Sequence, residues 1–231
     1  MYSVPSSCAG ESIIANQTDR EPFLLTNAGG FRKDFALEEI LSLESASGEI
    51  MTFTDTITLR NAKFAKERYS SDLKIIPSAK TIIIGCLDPR VDPVDVFGLK
   101  SGEAAIYRNL GGRINPALVE AMVLLPIVTR AAGQEMGVGW DLIILHHTEC
   151  GIIGCYKHTP DLLAVHLGVS RPQLDLMAIA DPRKAVAMDV EAYRSNEDIP
   201  GGFMISGLVY DVATGLIEVV VPPSRLRLGA S

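Results

Sequence analysis

Cysteine is scarce in this chain, four in 231 residues, which is too few for a secreted scaffold stapled by disulfides. Aromatic residues make up 6% of the total and no run of basic residues occurs. The chain therefore lacks the interleaved cations and rings that track a phosphate backbone, and nucleic acid is excluded as an expected partner. No apolar stretch approaches the about 18 residues that a membrane span requires, so no membrane association is expected. The opening Met1-Tyr2-Ser3-Val4-Pro5 lacks the basic and apolar regions of a signal peptide. The expected setting is reducing and cytoplasmic. Internal repeats and low-complexity tracts are also missing.

What remains is a core-forming composition: 47% hydrophobic and 21% charged, with a net charge of −7 spread along the chain. Residues 1–50 read as an N-terminal arm, loose or packed on another subunit, with a short amphipathic helix over 34–43. Residues 51–231 read as a single α/β domain. A helix is expected over 54–69, capped by Thr54 or Asp55. Short β-branched runs follow at 81–85, 104–107, 142–145, 204–209 and 217–221. A helix over 116–132, with Pro116 in its first turn, separates two of them. A further helix within 174–193 presents Ala185, Met188 and Ala192 on one side, and the turn 211–215 closes a hairpin. Strands apolar on both faces and separated by helices predict a mostly parallel sheet covered on both sides. Sites in such sheets form at the carboxyl ends of the strands.

Two strand ends carry the chemistry. The run Ile82-Ile83-Ile84-Gly85 delivers Cys86, Asp88 and Arg90, and the run Leu142-Ile143-Ile144-Leu145 delivers His147 and Cys150. Two thiolates and an imidazole are a zinc ligand set, and a catalytic site leaves a fourth position open. Water bound there loses its proton near neutral pH. Asp88 lies where it can accept a hydrogen bond from that water, with Arg90 holding the carboxylate. Cys-x-Asp-x-Arg or His-x-x-Cys alone is a weak signal, because both arise by chance and buried cysteines after strands are common packing residues. Both motifs, each ending a strand of one sheet, form a much stronger one.

These segments resemble the signature of the β-class carbonic anhydrases, from about residue 55 onward. Arg108-Asn109-Leu110-Gly111-Gly112 is similar to the family's Arg-Asn-x-Gly segment, and Ile205 to Asp211 to its final strand and turn. The resemblance implies zinc on Cys86, His147 and Cys150, a catalytic dyad of Asp88 and Arg90, and a substrate-side turn at Gly111 and Gly112. It also implies a four-stranded, mostly parallel sheet flanked by helices, with an added C-terminal antiparallel strand. Homodimers or homotetramers are expected. The implied reaction is hydration of carbon dioxide to bicarbonate. Carbonyl sulfide, hydrolysed to hydrogen sulfide and carbon dioxide by related enzymes with the same metal site, is the alternative substrate.

The sequence departs from the family's common pattern at three places. Pro89 stands where serine is frequent and stiffens the loop by fixing φ. His146 precedes the ligand His147 in place of the common glycine and is read as a neighbour of the site or a packing residue. Ile152 and Ile153 follow Cys150-Gly151 where a small residue is frequent, so the site becomes bulkier and more apolar if they turn inward. Asp92 and Asp95 are read as caps of the next helix. Cys8 and Cys155 are read as bystanders, and His158 and His166 as surface residues within reach of a proton-shuttle role. A different class of function stays open at this point: a non-catalytic protein stabilised by zinc, or a closed-site regulator in which Asp88 itself is the fourth ligand.

Overall fold

A computed structural model describes residues 52–226. The expected arm, the helix over 34–43 and Cys8 lie outside the described residues. The chain divides into two units, residues 1–69 and 70–231, and each is treated by itself.

The first unit contains helix α1, Phe53–Glu67. Its cap is Thr52, two residues earlier than the first expected position. Thr52 sits in the extended region, and its hydroxyl accepts from the Asp55 amide. The Asp55 carboxylate accepts in return from the Thr52 amide at 2.8 Å, which makes the pair a capping box. Asp55 is therefore the reciprocating residue rather than the cap.

The second unit is built on one sheet of five strands: β1 Thr81–Cys86, β2 Ala104–Asn109, β3 Asp141–His147, β4 Met204–Tyr210 and β5 Ile217–Arg225. Their order is β2-β1-β3-β4-β5. The first four are parallel, and β5 returns antiparallel to β4. This is the expected architecture. The return is made by a turn in which the Gly215 amide donates to Asp211 O at 2.8 Å, with Gly215 at φ 73° where a side chain is disfavoured. All of β1 after Thr81 is buried, which explains why its sequence is continuously apolar rather than alternating.

The helices around the sheet are α2 Pro93–Val96, α3 Pro116–Ala131, α4 Ile152–His158, α5 Pro160–Leu167, α6 Arg171–Asp175 and α7 Pro182–Ser195. Asn115 caps α3 through the Leu118 amide, and Pro116 occupies the first helical position, where its missing N–H costs nothing. Leu118 and Met122 of α3 and Val186, Val190 and Tyr193 of α7 pack with Ile82, Ile84, Leu142 and Ile144. Each such side chain contributes about 1.5–3 kcal/mol by leaving water. A second cluster, with Ile152, Leu163, Leu167, Leu174 and Ile179, joins α4, α5 and α6.

The buried face of α7 differs from the expected one. Ala185 is buried, but Met188 and Ala192 are exposed, and the inward stripe is Val186, Asp189, Val190 and Tyr193. A carboxylate in the middle of that stripe hides the helical apolar repeat from the sequence. Among the described residues no helix is long and apolar enough to cross a membrane.

Candidate metal centre

Register brings the two ligand-bearing strands together. Ile82 pairs with Leu142 and Ile84 with Ile144, so β1 and β3 end side by side at the carboxyl edge of the sheet. Cys86 closes β1, His147 closes β3, and Cys150 follows in the next turn. The two sulfurs lie 3.8 Å apart. Two thiolates on a tetrahedral zinc, with bonds of about 2.3 Å, would stand about 3.8 Å apart. The donor atoms of Cys86, His147 and Cys150 all lie within 4.8 Å of one another, and among the described residues they form the one such group.

His147 is oriented for ligation. Its Nδ1 lies 2.8 Å from Thr148 O, and only an Nδ1–H can donate to that carbonyl. In the neutral ring Nε2 is then the nitrogen with a free lone pair. It is buried without a hydrogen-bond partner, as an imidazole awaiting a metal would be. The Cys86 thiol is held down to about 4, first by a hydrogen bond from the Cys150 thiol, against the opposing effect of burial. Contacts from His147 and from the Asp88 and Gly111 backbone add to this. Cys150 is pushed up, first by its hydrogen bond with Cys86 and then by burial.

Asp88 and Arg90 meet in a bidentate pair. Arg90 Nε donates to Asp88 Oδ1 at 3.1 Å and its NH2 group to Oδ2 at 2.8 Å. The Arg90 amide adds a third bond to Oδ1 at 2.9 Å, since Asp88 caps the short 3-10 turn Pro89–Val91. The Arg90 guanidinium holds the Asp88 carboxyl down to about 2. Asp88 Oδ2 is 3.9 Å from His147 Nε2, beside the ligand cluster rather than within it. Arg90 also donates to Glu149 O at 3.2 Å. Glu149 carries a left-handed φ of 54°, so Arg90 ties the Asp88 loop to the strained peptide that leads into Cys150.

The turn after β2 touches both strand ends. Gly111 and Gly112 have φ of 79° and 66°, and a Cβ on Gly112 would come within 3.1 Å of Cys86 N, Gly85 C and Leu145 O. Gly112→Ala is therefore expected to cost at least about 1–2 kcal/mol from handedness alone. Thermal unfolding should show a fall of about 2–8 °C, accompanied by weaker metal binding because Cys86 is displaced.

Ile152 and Ile153 do face the site. Ile152 is buried against Gly111, and both isoleucines line a small cavity with Ile179, His147 and Cys150. Asp92 caps α2, while Asp95 lies inside its first turn. Cys155 packs in the second cluster, and neither it nor His158 or His166 joins the ligand group.

Two positioning residues escape sequence reasoning. Arg108 donates to Cys86 O and Asp88 O, both at 2.7 Å, and pairs with Asp92 at 2.6 Å. It thus holds the main chain on both sides of Leu87. Thr148 receives the Val212 amide on its hydroxyl at 3.0 Å, which fastens the ligand loop to the β4–β5 turn. Only the adjacency of Gly85 and Arg108 in the β1–β2 register would have revealed the first, and a single sequence does not display register.

A family profile described as carbonic anhydrase matches residues 81–175, the stretch holding both motifs. The chain is 28% identical over 176 residues to "Beta-carbonic anhydrase 1" of Mycobacterium tuberculosis, covering 74% of this chain and 100% of that protein. It is 27% identical over 175 residues to the "Carbon disulfide hydrolase" of Acidithiobacillus thiooxidans, covering 67% and 82%. Among solved structures, the carbonic anhydrase of Streptococcus mutans superposes with a TM-score of 0.58 at 26% identity, over 74% of this chain and 99% of that one. Fold and site define an α/β enzyme with a cysteine–histidine–cysteine cluster suited to a metal at the ends of adjacent parallel strands. Residues 81–175 match the carbonic anhydrase family profile, and over 74% of its length the chain is similar to β-carbonic anhydrases.

Proposed function

We propose that this chain is a zinc-dependent carbonic anhydrase that hydrates carbon dioxide reversibly to bicarbonate and a proton. The observation that carries the reading is the meeting of three donors, Cys86, His147 and Cys150, within 4.8 Å, beside an aspartate paired with arginine. Two sulfurs and one imidazole favour zinc over hard cations. Bound there, zinc supplies a Lewis acid that lowers the pKa of water to near neutral. Cys86 and Cys150 would hold it as thiolates and His147 through Nε2.

Asp88, kept ionised by Arg90, only accepts hydrogen bonds. It orients a water so that a lone pair, rather than a proton, faces the substrate carbon. Arg90, engaged on both carboxylate oxygens, keeps Asp88 from swinging toward the ligands and closing the site. Such a pair has no use in a purely structural metal site, which argues against the non-catalytic reading. Gly111 and Gly112 offer backbone without side chains at the substrate side.

Carbonyl sulfide is the second candidate substrate. The cavity beside the ligands is walled by Ile152, Ile153 and Ile179, and a wall of that kind suits a larger, less polar cumulene. We further read residues 51–231 as the catalytic domain, a homodimer or homotetramer as the assembly, and the cytoplasm as its setting.

Purified protein with its zinc content measured should be tested by stopped-flow hydration of carbon dioxide and, in parallel, by sulfide release from carbonyl sulfide. Fast hydration with slow sulfide release is the expected result. The reverse would transfer the assignment to carbonyl sulfide, and zinc-replete protein with neither activity would overturn the enzymatic reading.

A further inference from the structure

A second polar cluster lies next to His147 and has no part in the reaction outlined above. Arg113, His146 and Asp189 are 1%, 3% and 1% exposed, and they come from three separate elements. Arg113 follows the Gly111-Gly112 turn, His146 immediately precedes the ligand on β3, and Asp189 lies mid-helix on α7. One carboxylate oxygen, Asp189 Oδ2, stands 2.7 Å from Arg113 Nε and 3.0 Å from His146 Nε2. Arg113 also donates through both terminal nitrogens to Met177 O at 3.2 Å. Ile179, two residues further on, forms part of the cavity wall together with Arg113 and His146.

Stability does not account for this cluster. Burying a guanidinium and a carboxylate costs several kcal/mol per ion in desolvation, and an apolar replacement of similar volume is commonly neutral or stabilising. Alignment makes the case weaker still. Arg113 Nε, His146 Nε2 and Asp189 Oδ2 are at ion-pair distance yet satisfy no hydrogen bond there, so part of the offsetting attraction is forgone. What the cluster does uniquely is join three pieces of the site's surroundings. These are the strand end that carries His147, the glycine turn that abuts Cys86 N, and the segment that supplies Ile179.

We propose that Asp189 is a positioning residue for the metal centre. Through His146 it fixes the end of β3 and hence the direction of His147 Nε2. Through Arg113 it fixes the Gly111-Gly112 turn against the Cys86 peptide. The inference rests on the metal-site reading above, though not on the identity of the substrate.

The test uses the full chain in three forms: wild type, Asp189→Asn, and the apolar triple variant Arg113→Met/His146→Leu/Asp189→Leu. Each is loaded with cobalt(II) for its visible spectrum, titrated with zinc against a chelator, and checked for folding by circular dichroism and thermal unfolding. Both variants are expected to fold while zinc affinity falls about 10–100-fold, the range for partners that orient ligands, and the cobalt bands shift. Wild-type affinity with a wild-type spectrum in a folded variant would overturn the proposal. Should Asp189→Asn fail to fold, the triple variant decides. If neither folds, the cluster is a stability element and the proposal is wrong. A wild-type chain that takes up no cobalt or zinc overturns the metal reading and carries this inference down with it. Normal wild-type uptake with unchanged variants sinks the inference alone.

Discussion

Cys86→Ser protein is expected to emerge from purification without zinc and to hydrate carbon dioxide no faster than buffer. Serine keeps the shape of cysteine but replaces a soft, readily ionised sulfur with a hydroxyl that stays protonated at neutral pH. Only His147 and Cys150 are left as donors, short of the three protein ligands that catalytic zinc sites use. The environment at position 86 accentuates the loss. Its hydrogen bond with Cys150 holds the thiol there below its ordinary value, which favours the thiolate, the form that binds metal. The fold should survive. Cys86 is 5% exposed, and burying a hydroxyl in its place costs about 1–3 kcal/mol, less than the about 5–15 kcal/mol that stabilises typical domains. Elemental analysis, circular dichroism and stopped-flow rates on one preparation separate the possibilities. Stoichiometric zinc in folded Cys86→Ser would remove Cys86 from the ligand set.

The parts of this molecule that sequence exposes are those whose signal is local. β1 and β3 are legible because burial on both faces leaves continuous runs such as Ile82-Ile83-Ile84, and the residues that end them are legible because Cys and His after such runs are chemically distinctive. The Pro116 start of α3 is equally local. What sequence hides is whatever depends on pairing across the sheet. The 3.8 Å approach of the two sulfurs follows from the β1–β3 register, and Arg108 acquires its role from main-chain carbonyls 20 and 22 positions away. Asp189 misleads in the opposite direction. A carboxylate on a helix ordinarily marks the solvated face, so the true inward stripe of α7 was displaced onto Met188 and Ala192. The charge is buried because two other elements bring Arg113 and His146 to it, and neither partner is near it in sequence. Places where the local rule fails coincide here with the surroundings of the site, as expected where function overrides local preference.

Asp88→Ala protein is expected to retain its zinc while losing about 10²–10⁴-fold in turnover, the range for a group that positions a proton at the reacting centre. The geometry separates the two effects. Asp88 lies 3.9 Å from His147 Nε2 and is occupied by Arg90 on both oxygens, so its removal leaves the three donors in place. On the proposed mechanism, what is lost is the acceptor that holds the attacking water in one orientation. The pH dependence follows from the Arg90 contact. With the folded carboxyl at about 2 against an ordinary 3.8, Asp88 is ionised at every pH where the protein works. The stabilisation from its pairing is fully present above the ordinary value and is lost only as pH falls through about 2. The wild-type rate profile near neutrality should therefore report the water and not Asp88, and Asp88→Ala should lower the profile without moving its midpoint by much. Arg90→Ala should act differently, because it also frees the Glu149 carbonyl from its bond to the guanidinium. Its turnover should fall together with metal affinity as the strained peptide before Cys150 relaxes. Zinc-replete Asp88→Ala working at the wild-type rate would exclude Asp88 from the chemistry, and equal loss of zinc in both variants would make the pair a support of the ligand loop alone.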